Sequence, residues 1–137
     1  MVVTILYRME GDPPTAGAKT FSDVKAGLYY SKAVDWAAEK NIVNGFSDGT
    51  FKPEQPVTRE QLAAIISRYA VSKDIVVYDA ANALASTDVV SAWARSNVAW
   101  AAAEGILTKT ETTNTTKTAS RAEVATAIYT YLTKTAK

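Results

Sequence analysis

Cysteine and histidine are both absent from this chain of 137 residues. Their absence removes disulfides, thiolate nucleophiles, imidazole bases and the usual zinc ligands in one step. An excess of one charge sign is missing too. The formal net charge is +1, and residues 21–70 hold six basic and six acidic side chains. No global field therefore draws the chain to nucleic acid or to an anionic membrane surface. The apolar stretches are short and interrupted, so none is fit to insert into a bilayer. The N-terminus lacks the basic segment and apolar run of a secretory signal.

What the chain does have is repetition. Residues 21–70 carry Phe21-Ser22-Asp23-Val24, then Trp36-Ala37-Ala38, Ile42-Val43-Asn44-Gly45, Asp48-Gly49-Thr50-Phe51-Lys52-Pro53 and Thr58-Arg59-Glu60-Gln61. Residues 84–132 repeat that order with Asp88-Val89, Trp100-Ala101-Ala102, Gly105-Ile106-Leu107 and Ser120-Arg121-Ala122-Glu123. A repeat of this period buries its apolar face against its neighbours, which places function at the seams between units. Hydrophobic content of 47% is enough for a real core.

Thr58-Arg59-Glu60-Gln61 and Ser120-Arg121-Ala122-Glu123 both read as capping boxes. Behind them run apolar stripes at helical spacing: Leu62, Ile65, Ile66 and Tyr69, and Val124, Ala127, Ile128 and Tyr131. Val2, Ile5, Leu6 and Met9 have the same spacing, and Arg8 corresponds to Arg68 sixty residues later. On that register Met1 lies inside the last helix of an earlier repeat, so the expected organisation is a piece of a longer protein. Residues 1–10 are that helix, 11–20 a linker opened by the helix stop Gly11-Asp12-Pro13-Pro14, 21–70 a complete repeat, 71–83 a linker and 84–137 a degenerate repeat. Each full repeat opens with a second helix, marked by Tyr30, Ala33, Val34 and Ala37 in one copy and Asn97, Val98 and Ala101 in the other, with Ser22 or Asp23 expected as the first cap. The glycine-rich loop 45–53 is replaced in the second copy by the Thr-rich, glycine-free 109–117, which must take another path. Asn44 to Gln55 spaces some oxygens like a calcium loop, but Phe46 and Gln55 stand where charged ligands are needed, so no metal site is expected.

In order, spacing and identity these motifs resemble the S-layer homology (SLH) family. The resemblance implies an all-α fold of helix-loop-helix repeats arranged about a pseudo-threefold axis, with the helix behind each box in a central three-helix bundle. It implies a non-catalytic module, without cofactor, that attaches exported proteins to the bacterial cell surface. The ligand it implies is a secondary cell wall polysaccharide with pyruvylated amino sugars, held in grooves between repeats. A helix N-terminus with unpaired N–H groups and an Arg at its first position suits a pyruvyl carboxylate. The ligand-binding candidates are therefore Arg59 and Arg121 for charge, Lys52 as a second cation, and Asp23 and Asp88 for sugar hydroxyls. Thr58 and Ser120 serve first as caps, and Trp36 either packs or stacks on sugar. Trp93 has no counterpart in the first copy. The alternative function is a protein assembly module that forms a homodimer through apolar surface left uncovered on residues 1–9. An enzyme is not expected, since no two carboxylates stand out as a hydrolytic pair.

Overall fold

The computed structural model describes residues 2–15, 30–43, 57–78, 80, 89–107 and 114–135. Asp23, Lys52 and Asp88, with loop 45–53, lie outside the described residues. Regular structure among the described residues is helical, and β pairing is confined to two isolated bridges, Thr58 with Thr118 and Val89 with Asn114. The all-α expectation holds. The chain divides into two compact units, Met1–Gln55 and Pro56–Lys137.

In the first unit α1 (Val2–Met9) packs on α2 (Ser31–Glu39). The Tyr7 ring meets Trp36 at a centroid distance of 5.7 Å with the planes tilted by 58°, a favourable aromatic arrangement. Tyr7 also donates its hydroxyl to the Pro13 carbonyl at 2.7 Å, tying down the chain behind the helix. In the second unit α3 (Arg59–Ser72) packs on α4 (Arg95–Ala103), which follows a single 3-10 turn at Ala92–Ala94, and on α5 (Arg121–Thr135). The Ser67 hydroxyl lies 2.7 Å from Asn97 Oδ1 and links α3 to α4, while Tyr69 and Tyr131 meet at 5.7 Å to link α3 to α5.

The sixty-residue register between α1 and α3 is visible in burial. Val2, Val3, Thr4, Leu6 and Tyr7 are buried, and so are their counterparts Leu62, Ala63, Ala64, Ile66 and Ser67. Each fully buried aliphatic side chain stabilises by roughly 1.5–3 kcal/mol. The stripe expected on α1 is shifted, since Ile5 is exposed and Met9 only half-buried, and Tyr7 takes the inward place because its ring fills the space beside Trp36. The apolar surface expected on residues 1–9 is accordingly small: Ile5 is the single exposed large apolar side chain of α1.

Helices α2 and α4 match at an offset of 64 residues, hydrogen bond for hydrogen bond. Lys40 N–H donates to Trp36, Asn41 to Ala38 and Ile42 to Ala37 at 3.0, 3.1 and 2.8 Å; Glu104 donates to Trp100, Gly105 to Ala102 and Ile106 to Ala101 at the same three distances. This is the Schellman closure, in which a residue at positive φ turns the chain so that two late N–H groups satisfy the last helical carbonyls. Asn41 adopts φ 59° and Gly105 φ 73°, and the following Ile42 and Ile106 are both buried against the helix they close. Asp74 at φ 62° ends α3 likewise, with Asp74 N–H on Val71 and Ile75 N–H on Ala70. The N-caps of α2 and α4 are Tyr30 and Ala94, neither with a side-chain capping bond, and the caps expected for the first of these helices, Ser22 or Asp23, lie outside the described residues.

Candidate functional site

The start of α3 is where two sequence copies meet. Thr58 has the extended backbone of an N-cap, its Oγ1 accepts from Gln61 N–H at 3.2 Å, and Gln61 Oε1 accepts from Thr58 N–H at 2.9 Å. The expected capping box is present. A helix start normally leaves further N–H groups open, and this one does not. Residues 114–119, from the Thr-rich segment of the second copy, lie along it. Arg59 N–H donates to the Lys117 carbonyl and Glu60 N–H to the Thr115 carbonyl, both at 2.9 Å, and Ala119 N–H donates to the Val57 carbonyl at 2.8 Å. The unpaired N–H groups expected to receive a carboxylate at α3 are occupied by the protein's own backbone.

Glu60 and Thr115 explain why that strap stays in place. Glu60 is 3% exposed and Thr115 fully buried. Glu60 Oε1 accepts from Ser91 N–H and lies within hydrogen-bond reach of the Thr115 hydroxyl, both at 3.3 Å. The single hydroxyl hydrogen of Thr115 serves either Glu60 or the Val89 carbonyl at 3.1 Å, while Thr115 N–H donates to that same carbonyl at 3.0 Å. A buried carboxylate held by neutral donors joins α3 to residues 89–91 and 114–115 in one polar cluster.

Arg59 is thereby fixed as the first residue of α3, with its side chain 14% exposed. Its Nε lies 2.8 Å from Glu123 Oε2, the oxygen standing off the Nε–H axis, so the contact is an ion pair by proximity. Glu123 is itself the last residue of the second capping box. Its Oε1 accepts from Ser120 N–H at 3.3 Å, and its own N–H donates to Ser120 Oγ at 3.1 Å. One carboxylate therefore closes the start of α5 and neutralises the cation at the start of α3. Among the described residues, no acceptor meets the N–H groups of Arg121 and Ala122, so the first turn of α5 carries its box without a strap.

The structure brings together Thr58, Arg59 and, through Glu123, Ser120; Arg121 opens α5 directly after Ser120. Trp36 is not with them. It is 4% exposed in the core of the first unit against Tyr7, which leaves no ring face for sugar. Trp93 is the exposed indole, at 56%, in the 3-10 turn before α4. Sequence reading passed over Glu60, Thr115 and the pairing role of Glu123. Glu60 looks like an ordinary acidic first-turn residue, and one threonine in a Thr-rich run carries no pattern. The signal for Glu123 was available, since it occupies a box position at which the other copy has the uncharged Gln61. Among the described residues no cluster of acidic side chains is suited to a metal, and no helix is long and apolar enough to cross a membrane.

Two capping boxes interlocked across a repeat fit what comparison with known proteins finds. The model of the S-layer homology domain matches residues 20–63 and 87–125. The chain belongs to the S-layer homology domain family. The two matched SLH segments take in α2 and α4 whole together with the starts of α3 and α5. Relatives include the outer membrane protein SlpA of Thermus thermophilus, 46% identical over 52 residues, which is 38% of this chain and 6% of that protein. The cellulosome-anchoring protein of Acetivibrio thermocellus is 32% identical over 50 residues, 36% of this chain and 11% of that protein. An amylopullulanase of Thermoanaerobacterium thermosulfurigenes is 37% identical over 122 residues, 83% of this chain and 6% of that protein. The SLH chain thus spans only a small part of the length of the relatives it matches. No solved structure gives a significant match.

Proposed function

We propose that this SLH chain is a non-catalytic anchoring module that holds its parent protein at the bacterial cell surface by binding a pyruvylated, anionic secondary cell wall polysaccharide. The observation that carries this reading is the seam between the two capping boxes, where Arg59 is fixed by its own backbone and stands beside a carboxylate. A guanidinium prefers a carboxylate because its planar donors match two oxygens, and partial burial strengthens the attraction over that of a solvated pair. Arg59 is the residue assigned to the pyruvyl carboxylate at the first box, and Arg121 has the same assignment at the second. With the backbone donors of α3 occupied, recognition there falls to side chains. Lys52 keeps its assignment as a second cation and Asp23 and Asp88 keep theirs to the sugar hydroxyls, and a pseudo-threefold arrangement of the central helices belongs to the same reading.

Names among the relatives support attachment, one being a cellulosome-anchoring protein and another an outer membrane protein. The amylopullulanase is an enzyme by name, and 83% of this chain aligns with 6% of its length, so that name assigns no activity to this chain. The test is retention of this chain on purified cell-wall sacculi, with the secondary polymer intact, with the polymer removed, and with pyruvate removed. Retention only where pyruvate is present is the expected result; equal retention on all three would refute the carboxylate reading.

A further inference from the structure

We propose that Glu123 takes the place at Arg59 that a ligand's carboxylate would take, so that an anionic ligand binds Arg59 by displacing it. The inference rests on the glycan-anchor reading above and adds to it an internal competitor. Three observations carry it. The partners are unequally covered: the Arg59 side chain is 14% exposed and opens α3 with its N–H bonded to Lys117, whereas the Glu123 side chain is 39% exposed. The pairing is the chemistry a carboxylate ligand would make, an oxygen 2.8 Å from guanidinium nitrogen. The negative charge of Glu123 is also not needed by its other task. Gln61 performs that task without charge at α3, where its Oε1 accepts from the cap N–H at 2.9 Å, against 3.3 Å for Glu123. A glutamine would close α5 equally well, and among the described residues Arg59 is the cationic partner that the charge serves.

The consequence is a set threshold for binding. An incoming anion meets a neutral pair instead of a cation, and its apparent affinity is lowered by the fraction of sites in which Glu123 holds Arg59. Ligands that present one isolated carboxylate are disfavoured. Those whose sugar contacts add to the carboxylate pairing overcome the competitor, which turns a general anion site into a selective one.

The decisive variant is Glu123→Gln in the whole chain, with thermal melting to confirm an unchanged fold. Its affinity for pyruvylated polymer is expected to rise roughly three- to tenfold, with no change on polymer from which pyruvate has been removed. A second readout uses sodium pyruvate as the probe, followed at the Arg59 Nε–H signal by nitrogen-15 NMR. The variant should saturate at a pyruvate concentration at least roughly threefold lower than the native chain does. Equal or weaker polymer binding by a folded variant overturns the proposal while leaving the glycan reading in place. If neither chain binds polymer but pyruvate still separates them, the glycan reading fails and the competitor stands. If pyruvate moves both alike, or neither, the proposal is refuted.

Discussion

Helices α3 and α5 begin with the same four-residue device, Thr58 to Gln61 and Ser120 to Glu123, and end up in different surroundings. At α3 the box is overlaid by residues 114–119, its N–H groups are bonded and its third residue, Glu60, is buried among polar partners. At α5 the box stands at an exposed start, with Ala122 where Glu60 stands in the first copy and with a charged final residue reaching back to Arg59. The motif specifies the local turn in both copies; the neighbouring chain decides whether that turn becomes a covered joint or an open one. The helix stops show no such divergence. The ends of α2 and α4 agree in every closing bond, because Schellman geometry depends on a positive-φ residue and one apolar contact, both supplied within the copy itself.

Substitutions at matching positions put this contrast at risk. The largest effect is expected at Glu60. Glu60→Ala removes the acceptor of Ser91 N–H, leaves the Thr115 hydroxyl to the Val89 carbonyl alone and empties the centre of a buried polar cluster, a loss of about 1–3 kcal/mol in urea unfolding. The converse Ala122→Glu, at the exposed counterpart, should shift stability by no more than about 0.5 kcal/mol; equal effects at the two sites would abolish the distinction between them. Next comes Arg59→Ala, expected to weaken polymer binding at least about tenfold, or 1.4 kcal/mol, with helical content kept by circular dichroism. Full affinity in that variant would remove Arg59 from the site. Thr58→Ala and Ser120→Ala should each cost about 1 kcal/mol as lost caps, with Thr58 the larger because its turn also bears the strap. At the stops, Gly105→Ala is expected to cost up to about 1 kcal/mol through its positive φ alone, since no atom lies within 4 Å of the added Cβ.

The smallest effect distinguishes α2 from α4 and depends on pH. Asp35, whose counterpart on α4 is the buried Ala99, has its carboxyl pKa raised above 3.8, first by burial and then by the charge of Glu39 one turn on. A raised pKa means that the fold disfavours the ionised form, so at neutral pH Asp35 works against stability. Asp35→Asn should therefore raise the melting temperature at pH 7. The gain should fade as pH falls through the raised pKa toward the ordinary carboxylate value, where the native residue is protonated both folded and unfolded. A gain that persists undiminished at low pH would show that burial and charge are not its cause.

Much of the architecture was legible because it is local. Both boxes, the central stripes and the helix pairs follow from spacing and from chemistry within a few residues of each other. What escaped was every contact made at long range. Ile5 reads as core by period, and it is exposed because Tyr7 takes the inward place beside Trp36. Trp36 reads first as packing, with a sugar platform as the alternative, and its burial against Tyr7 decides for packing. The cluster of Glu60 with Thr115 joins residues 55 positions apart, and nothing in either neighbourhood announces it.

The strap has one more consequence, for the order in which the chain becomes folded. The acceptors for Arg59 and Glu60 lie at Lys117 and Thr115, and the bond from Ala119 closes back on Val57. A chain made from its N-terminus therefore completes the first turn of α3 only after the next copy has been synthesised. Each such bond closes a long loop, and its entropic cost is met only when the later segment arrives. A piece cut at the sequence boundary of the first copy would leave that turn with its inner donors bare. The smallest part that keeps every donor of that turn bonded thus starts in one copy and finishes in the next.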